Sequence, residues 1–113
     1  MLLSLLTGLL LIISSQAFAL TAEWVRNVES DMKEYRMYLC EGASCTIAKT
    51  PAMMAATIPQ PAVGAIPKWV IPAGKTGSIA VSAVDTSGNE SPLSNIVFFD
   101  LTPPPAPTGL TVK

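Results

Sequence analysis

The sequence predicts an all-β sandwich of two antiparallel sheets, and three observations support this prediction. Stretches in which apolar and polar residues alternate recur at short intervals after residue 20, as expected for half-buried strands. Turn-forming residues (Gly, Pro, Asn and Asp) separate these stretches. No stretch shows the period of an amphipathic helix. Short strands with frequent turns and no competing helix are typical of a sandwich.

The first half of the domain contains three candidate strands. Residues 20–24 (LTAEW) alternate in the manner of a half-buried strand, and a charged, turn-rich segment follows them. Residues 35–39 alternate again and predict a second strand. Residues 46–49 predict a short edge strand that ends at Pro51.

Four prolines interrupt residues 51–67, so neither a long helix nor a central strand is expected there. We expect residues 53–57 to be irregular chain that crosses between the sheets. Met53 and Met54 fit this interpretation as fillers over the core, since methionine adapts to irregular gaps.

Two candidate strands follow, and a third closes the domain. Residues 68–71 (KWVI) predict a short strand, and PAGKTG after them predicts a turn. Residues 78–85 carry small or apolar side chains on both faces, which predicts a strand in the centre of its sheet. A turn with Gly88-Asn89 at its tip separates it from the last strand, residues 95–99. A proline-rich extended segment, residues 102–108, comes next.

The charge balance and the lack of histidine argue against two classes of function, nucleic-acid binding and catalysis. The 113-residue chain has seven basic and eight acidic residues and no histidine, and its length suits one domain. Because no basic stripe is present, nucleic acid is not an expected partner. Histidine is the commonest general base and a common metal ligand, so its absence argues against an enzyme. We therefore expect a non-catalytic protein without a cofactor.

The N-terminus has the pattern of a cleaved secretory signal. An apolar run at residues 9–13 precedes small polar residues and Ala17-Phe18-Ala19, the A-x-A pattern after which signal peptidase cuts. Residues 1–19 are therefore predicted to be removed from a secreted, periplasmic or extracellular protein. No Lys or Arg precedes the apolar run, so two alternatives stay open. They are an uncleaved anchor, which would bring a membrane contact, and a strand of the domain at residues 8–14.

The only two cysteines, Cys40 and Cys45, are spaced as CEGASC. If strands flank this turn, the two sulfur atoms would face each other across a hairpin and form a disulfide in an oxidising compartment. Free thiols are the alternative. A metal site is disfavoured, because two ligands fall short of the four that zinc takes.

Candidate chemical groups lack the partners that catalysis or metal binding requires. No histidine is present to activate the serines, which are Ser78, Ser82, Ser87, Ser91 and Ser94. Asp85, Asn89 and Glu90 offer oxygen ligands for calcium, but their spacing is not that of a calcium loop. Asp and Asn in such a turn usually bond to their own backbone. The segment GKT at residues 74–76 lacks the upstream glycine and following helix of a phosphate loop.

Four segments resemble a fibronectin type III domain of the type common in bacterial exported proteins. AVDTSGNESPLSN (residues 83–95) is similar to the end of that family's strand F, the F–G turn and the start of strand G. LTAEW is similar to strand B with its core tryptophan, and VESDMKEYRMYL (residues 28–39) to the B–C turn and strand C. KWVIPAGKTG stands where strand E and the E–F corner belong. The resemblance covers residues 20–101 and implies an immunoglobulin-like sandwich.

The sequence departs from that family at two places. A tyrosine usually ties the E–F corner, but Gly77 and Ser78 stand there, so we expect a looser corner. No strand A precedes residue 20, whereas the tail, residues 102–113, resembles one, with Leu110 and Val112 as an alternating apolar pair. Three interpretations of the tail stay open. It is a remnant or fragment of a longer protein, a strand donated to another subunit, or a strand that closes its own domain.

These observations favour an exported binding or spacer module that contacts a protein or glycan partner or takes part in surface assembly. The expected contact surface is a sheet face or the turn formed by Asp85, Thr86, Ser87, Gly88, Asn89 and Glu90. One alternative is a subunit that donates Leu110 and Val112 to a head-to-tail filament. A weaker one is an accessory fragment of an extracellular hydrolase. Because fold does not determine function, the resemblance alone does not choose among them.

Overall fold

The computed structural model describes residues 19–113, which form six β-strands. Their bounds are β1 Leu20–Glu23, β2 Met32–Glu41, β3 Met54–Pro59, β4 Lys68–Ile71, β5 Thr76–Asp85 and β6 Val97–Asp100. β1 and β4 form a two-stranded sheet, and the other four strands form a sheet in the order β3-β2-β5-β6. Every pairing is antiparallel. The all-β architecture with two antiparallel sheets is thus confirmed. The predicted signal and the alternative strand at residues 8–14 lie outside the described residues, apart from Ala19.

The main core lies between the two sheets. Met37, Ile71, Ile79 and Phe99 are buried there, and both tryptophans pack against them. These side chains come from alternate positions of their strands, which is why one face of each strand meets the core. Trp24 also stacks edge-on against the ring of Tyr35, with 5.3 Å between ring centroids. The tryptophan after β1 is therefore part of the core, as the sequence predicts.

β5 lies in the centre of the larger sheet, between β2 and β6, as predicted. Ile79, Ala80, Ser82 and Val84 are all buried, so both faces of β5 are covered. The strand predicted at residues 95–99 begins two residues later, at Val97, and extends to Asp100.

A lid, residues 42–53, covers the outer face of the larger sheet. Ile47 is buried against Tyr38, Cys40 and Ala80, and Cys45, Met53 and Leu93 pack around this second cluster. Cys40 and Cys45 form a disulfide, with 5.8 Å between their Cα atoms, that fixes the start of the lid. The predicted edge strand at residues 46–49 is wrong, and so is the predicted hairpin around the disulfide. Residues 46–49 lie over the sheet rather than beside it because Ile47, the one bulky apolar side chain among them, is buried on that face.

The segment predicted as irregular crossing chain forms an edge strand instead. β3 pairs with β2 along Glu34 to Tyr38 and places Ala56 and Ile58 against the main core. The prolines flank this strand, and Pro59 is its last residue. An edge strand tolerates proline at its end because one side of its backbone needs no ladder partner. No central strand passes through this segment, as predicted, but the irregular chain predicted at residues 53–57 is wrong.

Hydrogen bonds join the last residue of the corner between β4 and β5, and the first residue of β5, to the end of β6. The looser corner expected from the missing tyrosine stays a prediction. The Thr76 hydroxyl donates to Asp100 at 2.7 Å, and the Leu101 N–H donates to the Lys75 carbonyl at 2.7 Å. Gly77 is buried between β2 and β6, and a Cβ atom there would overlap the carbonyl oxygen of Cys40. Glycine at this position therefore lets the two backbones approach closely.

Candidate functional site

The connection between β5 and β6 begins with a tight turn, residues 85–90, at one end of the sandwich. Gly88 has a φ of 88°, and its N–H donates to the Asp85 carbonyl at 3.0 Å. The Asp85 carboxylate accepts from the Ser87 N–H at 3.0 Å and from the Asn89 N–H at 2.8 Å. The Asn89 side-chain amide donates to it as well, at 3.0 Å. These donors hold the pKa of Asp85 below its ordinary value, with the Asn89 side chain contributing most.

The other end of the turn is fixed by Glu90, whose side chain turns away from Asp85 towards the outer sheet face. One carboxylate oxygen accepts from the hydroxyls of Tyr38 and Ser82, at 2.6 Å each. The other accepts from the Arg36 guanidinium at 3.1 Å. Partial burial raises the pKa of Glu90, but the bonds from Ser82 and Tyr38 and the charge of Arg36 outweigh it, so the pKa is lowered. Burial of the phenol, together with its hydrogen bond to the Glu90 carboxylate, raises the pKa of Tyr38.

After the turn, the chain runs beside β5 without forming a regular strand, and two serines make the hydrogen bonds to the β5 backbone. The Ser91 N–H donates to the Ala83 carbonyl, and the Ser91 hydroxyl accepts from the Ala83 N–H at 2.9 Å. Ser94 makes the same two bonds with Val81: the Ser94 N–H donates to the Val81 carbonyl, and the Ser94 hydroxyl accepts from the Val81 N–H at 3.0 Å. Ser91 and Ser94 are three residues apart, whereas their partners Ala83 and Val81 are two apart. The segment therefore uses one more residue than β5 over this length, and regular pairing of β6 begins later in the chain.

A cleft of about 350 Å³ lies beside the turn and is bounded by the segment that joins β1 to β2. The Thr86 N–H donates to the Asp31 carbonyl at 2.8 Å and fixes the two segments to each other. The cleft lining includes the acidic residues Glu29, Asp31 and Asp85 and no basic residue. Glu90 also lines it, but its carboxylate points to the outer sheet face and pairs with Arg36. Such a site repels anions and favours a neutral or cationic group.

The structure divides the predicted turn residues into two groups. Asp85 and Glu90 are partly buried and serve to hold the loop, whereas Thr86, Ser87, Gly88 and Asn89 are exposed. The three candidate calcium ligands do not converge, because Glu90 bonds to β2 and β5 rather than into the turn. Among residues 19–113, no three acidic or cysteine side chains are grouped as metal ligands would be.

Three of the five candidate serines and the GKT segment are engaged in structural contacts, whereas no hydroxyl contact of Ser78 or Ser87 is seen among the described residues. The hydroxyls of Ser82, Ser91 and Ser94 bond to Glu90 or to backbone groups. Lys75 pairs with Glu41 at 2.8 Å in the corner before β5. Sequence reasoning missed Arg36 and Tyr38 as partners of Glu90, although their alternate positions on β2 place them on one face.

The tail leaves the sandwich at the end that lies opposite the 85–90 turn. Residues 102–113 contain no strand, and Leu110 and Val112 are 94% and 98% exposed. In this structure the tail does not close its own sheet. Residues 19–113 also include no helix with the length and apolar character that crossing a membrane requires.

Comparison of the chain with protein-family models, with curated proteins and with solved structures gives no match.

Proposed function

We propose that this chain is a non-catalytic interaction module of an exported protein and that the 85–90 turn is its contact surface. The architecture of the turn supports this proposal most strongly. Asp85 and Glu90 hold its two ends while Thr86 and Ser87 extend into solvent. A loop that is already ordered binds a partner at a lower entropic cost. Exposed loops held by a rigid scaffold are also where binding residues concentrate.

The chemistry of the turn suggests the kind of partner. The free side chains at its tip offer hydroxyl groups, and the adjacent cleft is acidic. A neutral, hydroxyl-rich glycan or a basic protein surface would complement both features. The proposal therefore excludes strongly anionic partners.

The fibronectin type III resemblance forms part of the same proposal. It is supported by the strand arrangement, in which the segment similar to strand B pairs with the one similar to strand E. The segments similar to strands C, F and G lie in the other sheet. Export is supported by the disulfide between Cys40 and Cys45, because such bonds persist in oxidising compartments.

A photo-crosslinking residue at Ser87 tests the contact surface. The matched control carries the same residue at Ala73, an exposed position in the turn at the opposite end of the sandwich. We expect discrete adducts at position 87, formed in the envelope or medium of the cells that export the protein, and none at position 73. Equal adducts at both positions, or none at either, would contradict the proposal.

The competing class is an enzyme, and a hydrolase panel discriminates it. We expect no turnover by the purified, exported protein. Turnover that a single substitution such as Ser82→Ala or Asp85→Asn abolishes, with the fold retained, would overturn the non-catalytic assignment.

A further inference from the structure

Among residues 19–113, the sandwich is open along one side. β1 pairs with β4 along one edge, and no strand among residues 19–113 pairs with its other edge. A cavity of about 120 Å³ lies beside this free edge, between the two sheets. Its lining includes Ala22 and Trp24 on one side and Ser94 and Val97 on the other. The free edge of β1 therefore faces the part of the larger sheet that contains β6.

Apolar side chains on core-facing positions are exposed at this opening. Val97 and Phe99 are two residues apart on β6 and so share a face, but Phe99 is 4% exposed and Val97 is 48% exposed. Leu20 shares the face of Ala22 and is 49% exposed. The opening thus combines unpaired strand backbone with uncovered apolar surface, which is the combination that favours the addition of a strand.

Residues 109–113 (GLTVK) have the pattern of a strand that fits such an opening. Leu110 and Val112 alternate with Thr111, so both apolar side chains fall on one face of an extended segment. Their near-complete exposure leaves that face uncovered. Gly109 has a φ of 74°, which sets the segment off from the chain before it.

We propose that residues 109–113 of one copy add as an antiparallel strand to the free edge of β1 in a second copy. The register that matches the two apolar patterns places Val112 opposite Leu20 and Leu110 opposite Ala22. Residues directly opposite each other share a face, so both tail side chains then cover the cavity. Thr111 lies opposite Thr21 on the outer face.

The direction of the tail selects a second copy over the same molecule. Leu20, the first residue of β1, pairs with Ile71, the last residue of β4. The short corner after β4 leads to Thr76, which pairs with Asp100 at the end of β6. β1 therefore begins at the end of the sandwich from which the tail leaves. To pair antiparallel with its own β1, the chain would have to reverse direction twice between Leu101 and Gly109. Three consecutive prolines, Pro103 to Pro105, favour an extended backbone there. In a second copy stacked end to end, the tail continues in the direction of β6 without any reversal.

Such a contact is head to tail and does not close on itself, so it propagates into linear assemblies. A ladder of four residues buries less than the ~1,200 Å² of a standard interface, so the association is weak and depends on concentration. Covalent trapping is therefore the appropriate measurement.

A cysteine pair tests the register. Thr21→Cys combined with Thr111→Cys places opposed Cα atoms about 4.5–5.5 Å apart, within the range that a disulfide bridges. The control combines Thr111→Cys with Val70→Cys, because Val70 is exposed opposite Thr21 on β4. After oxidation of the exported protein, we expect a ladder of covalent oligomers for the first pair and at most traces for the control. Equal ladders, no ladder, or a disulfide within a single chain would overturn the proposal.

Sizing of the exported protein across concentrations gives a second readout. We expect its weight-average mass to rise with concentration, and Val112→Asp to abolish this rise. Thr111→Asp adds the same charge on the outer face and should keep it. Loss in both variants, or in neither, would refute strand addition. Strand addition rests on the proposed export of the protein, but the 85–90 turn has no part in this contact. The crosslinking result at Ser87 and the cysteine-pair result are therefore distinguishable.

Discussion

Replacing Glu90 with glutamine probes the contact that fixes the turn to the sheet. The substitution keeps the shape of the side chain but removes its charge and one acceptor. If the amide nitrogen takes the place of the oxygen bonded to Tyr38 and Ser82, two hydroxyls lose their acceptor. If it takes the other place, it faces the Arg36 guanidinium, and two donors meet. Neither orientation satisfies all the partners.

The expected loss of stability follows from these contacts. Hydrogen bonds to a charged group contribute about 1.5–3 kcal/mol each, and bonds between neutral groups contribute about 1 kcal/mol. Because the site is partly exposed, the lower part of these ranges applies, and weakening two bonds costs about 2 kcal/mol. The pair with Arg36 is screened by solvent and adds little. We therefore expect Glu90→Gln to lower the free energy of unfolding by about 2 kcal/mol. For a domain of this size, that corresponds to a fall in Tm of roughly 8–16 °C.

The pH dependence gives a sharper test. The pKa of Glu90 in the folded protein lies below its ordinary value of 4.5, so the folded state favours the charged form. This stabilisation is fully present above about pH 4.5 and is lost as the pH falls through the folded pKa. Urea unfolding should therefore show a difference between wild type and Glu90→Gln at neutral pH that narrows in acid. A difference that persists unchanged in acid, or that is absent at neutral pH, would refute the reasoning.

Glu34→Gln is the matched control for this experiment. Its carboxylate contacts Arg36 at 3.4 Å, and no hydroxyl contact to it is seen among the described residues. The same substitution there should cost about 0.5 kcal/mol or less.

Three further outcomes are expected. By mass spectrometry, intact exported protein should be two hydrogens lighter than reduced protein, and two freely alkylated thiols would contradict this. Reduction of Cys40–Cys45 should lower the free energy of unfolding by about 2 kcal/mol, the loss of chain entropy that so short a loop gives. Gly77→Ala should cost about 3 kcal/mol or more in urea unfolding, because its Cβ atom would overlap backbone rather than a side chain that can move; a loss below about 1 kcal/mol would show that the strands yield easily. Ser94→Ala should accelerate hydrogen exchange at the Val81 amide roughly fivefold, since about 1 kcal/mol of hydrogen bonding is lost; unchanged exchange would mean that another acceptor replaces the hydroxyl.

The strands that the sequence predicts correctly are those whose side chains alternate over a shared core. β5 shows this best, because small and apolar residues on both of its faces indicate a central position. One failure lies where a segment covers the face of a sheet. Ile47 lies over the outer face of the sheet, and no local period distinguishes such a segment from an edge strand. The other failure is β3. The prolines around it argue against a central strand, and nothing in the segment marks the edge strand that forms there, which needs hydrogen-bond partners on only one side of its backbone.

The candidate site divides in the same way. The bonding of Asp85 within its own turn follows from residues two and four positions away, so sequence chemistry predicts it. Glu90 meets Tyr38 across 52 residues of chain, and the register of β2 on β5 decides that meeting. The residues around Glu90 in the sequence do not indicate this register, so the role of Glu90 is seen only in the folded protein.

The lid over the larger sheet restricts how this domain packs with others. Two β-sheets that pack face to face lie about 10 Å apart, and their side chains interdigitate. The lid already occupies that space above Tyr38 and Ala80, and the disulfide at Cys40 keeps its beginning in place. A sheet of a neighbouring domain is thereby kept from packing on this part of the larger sheet. Copies that associate face to face would therefore have to use the smaller sheet, where Val70 is exposed, or the uncovered part of the larger one, where Phe98 is exposed.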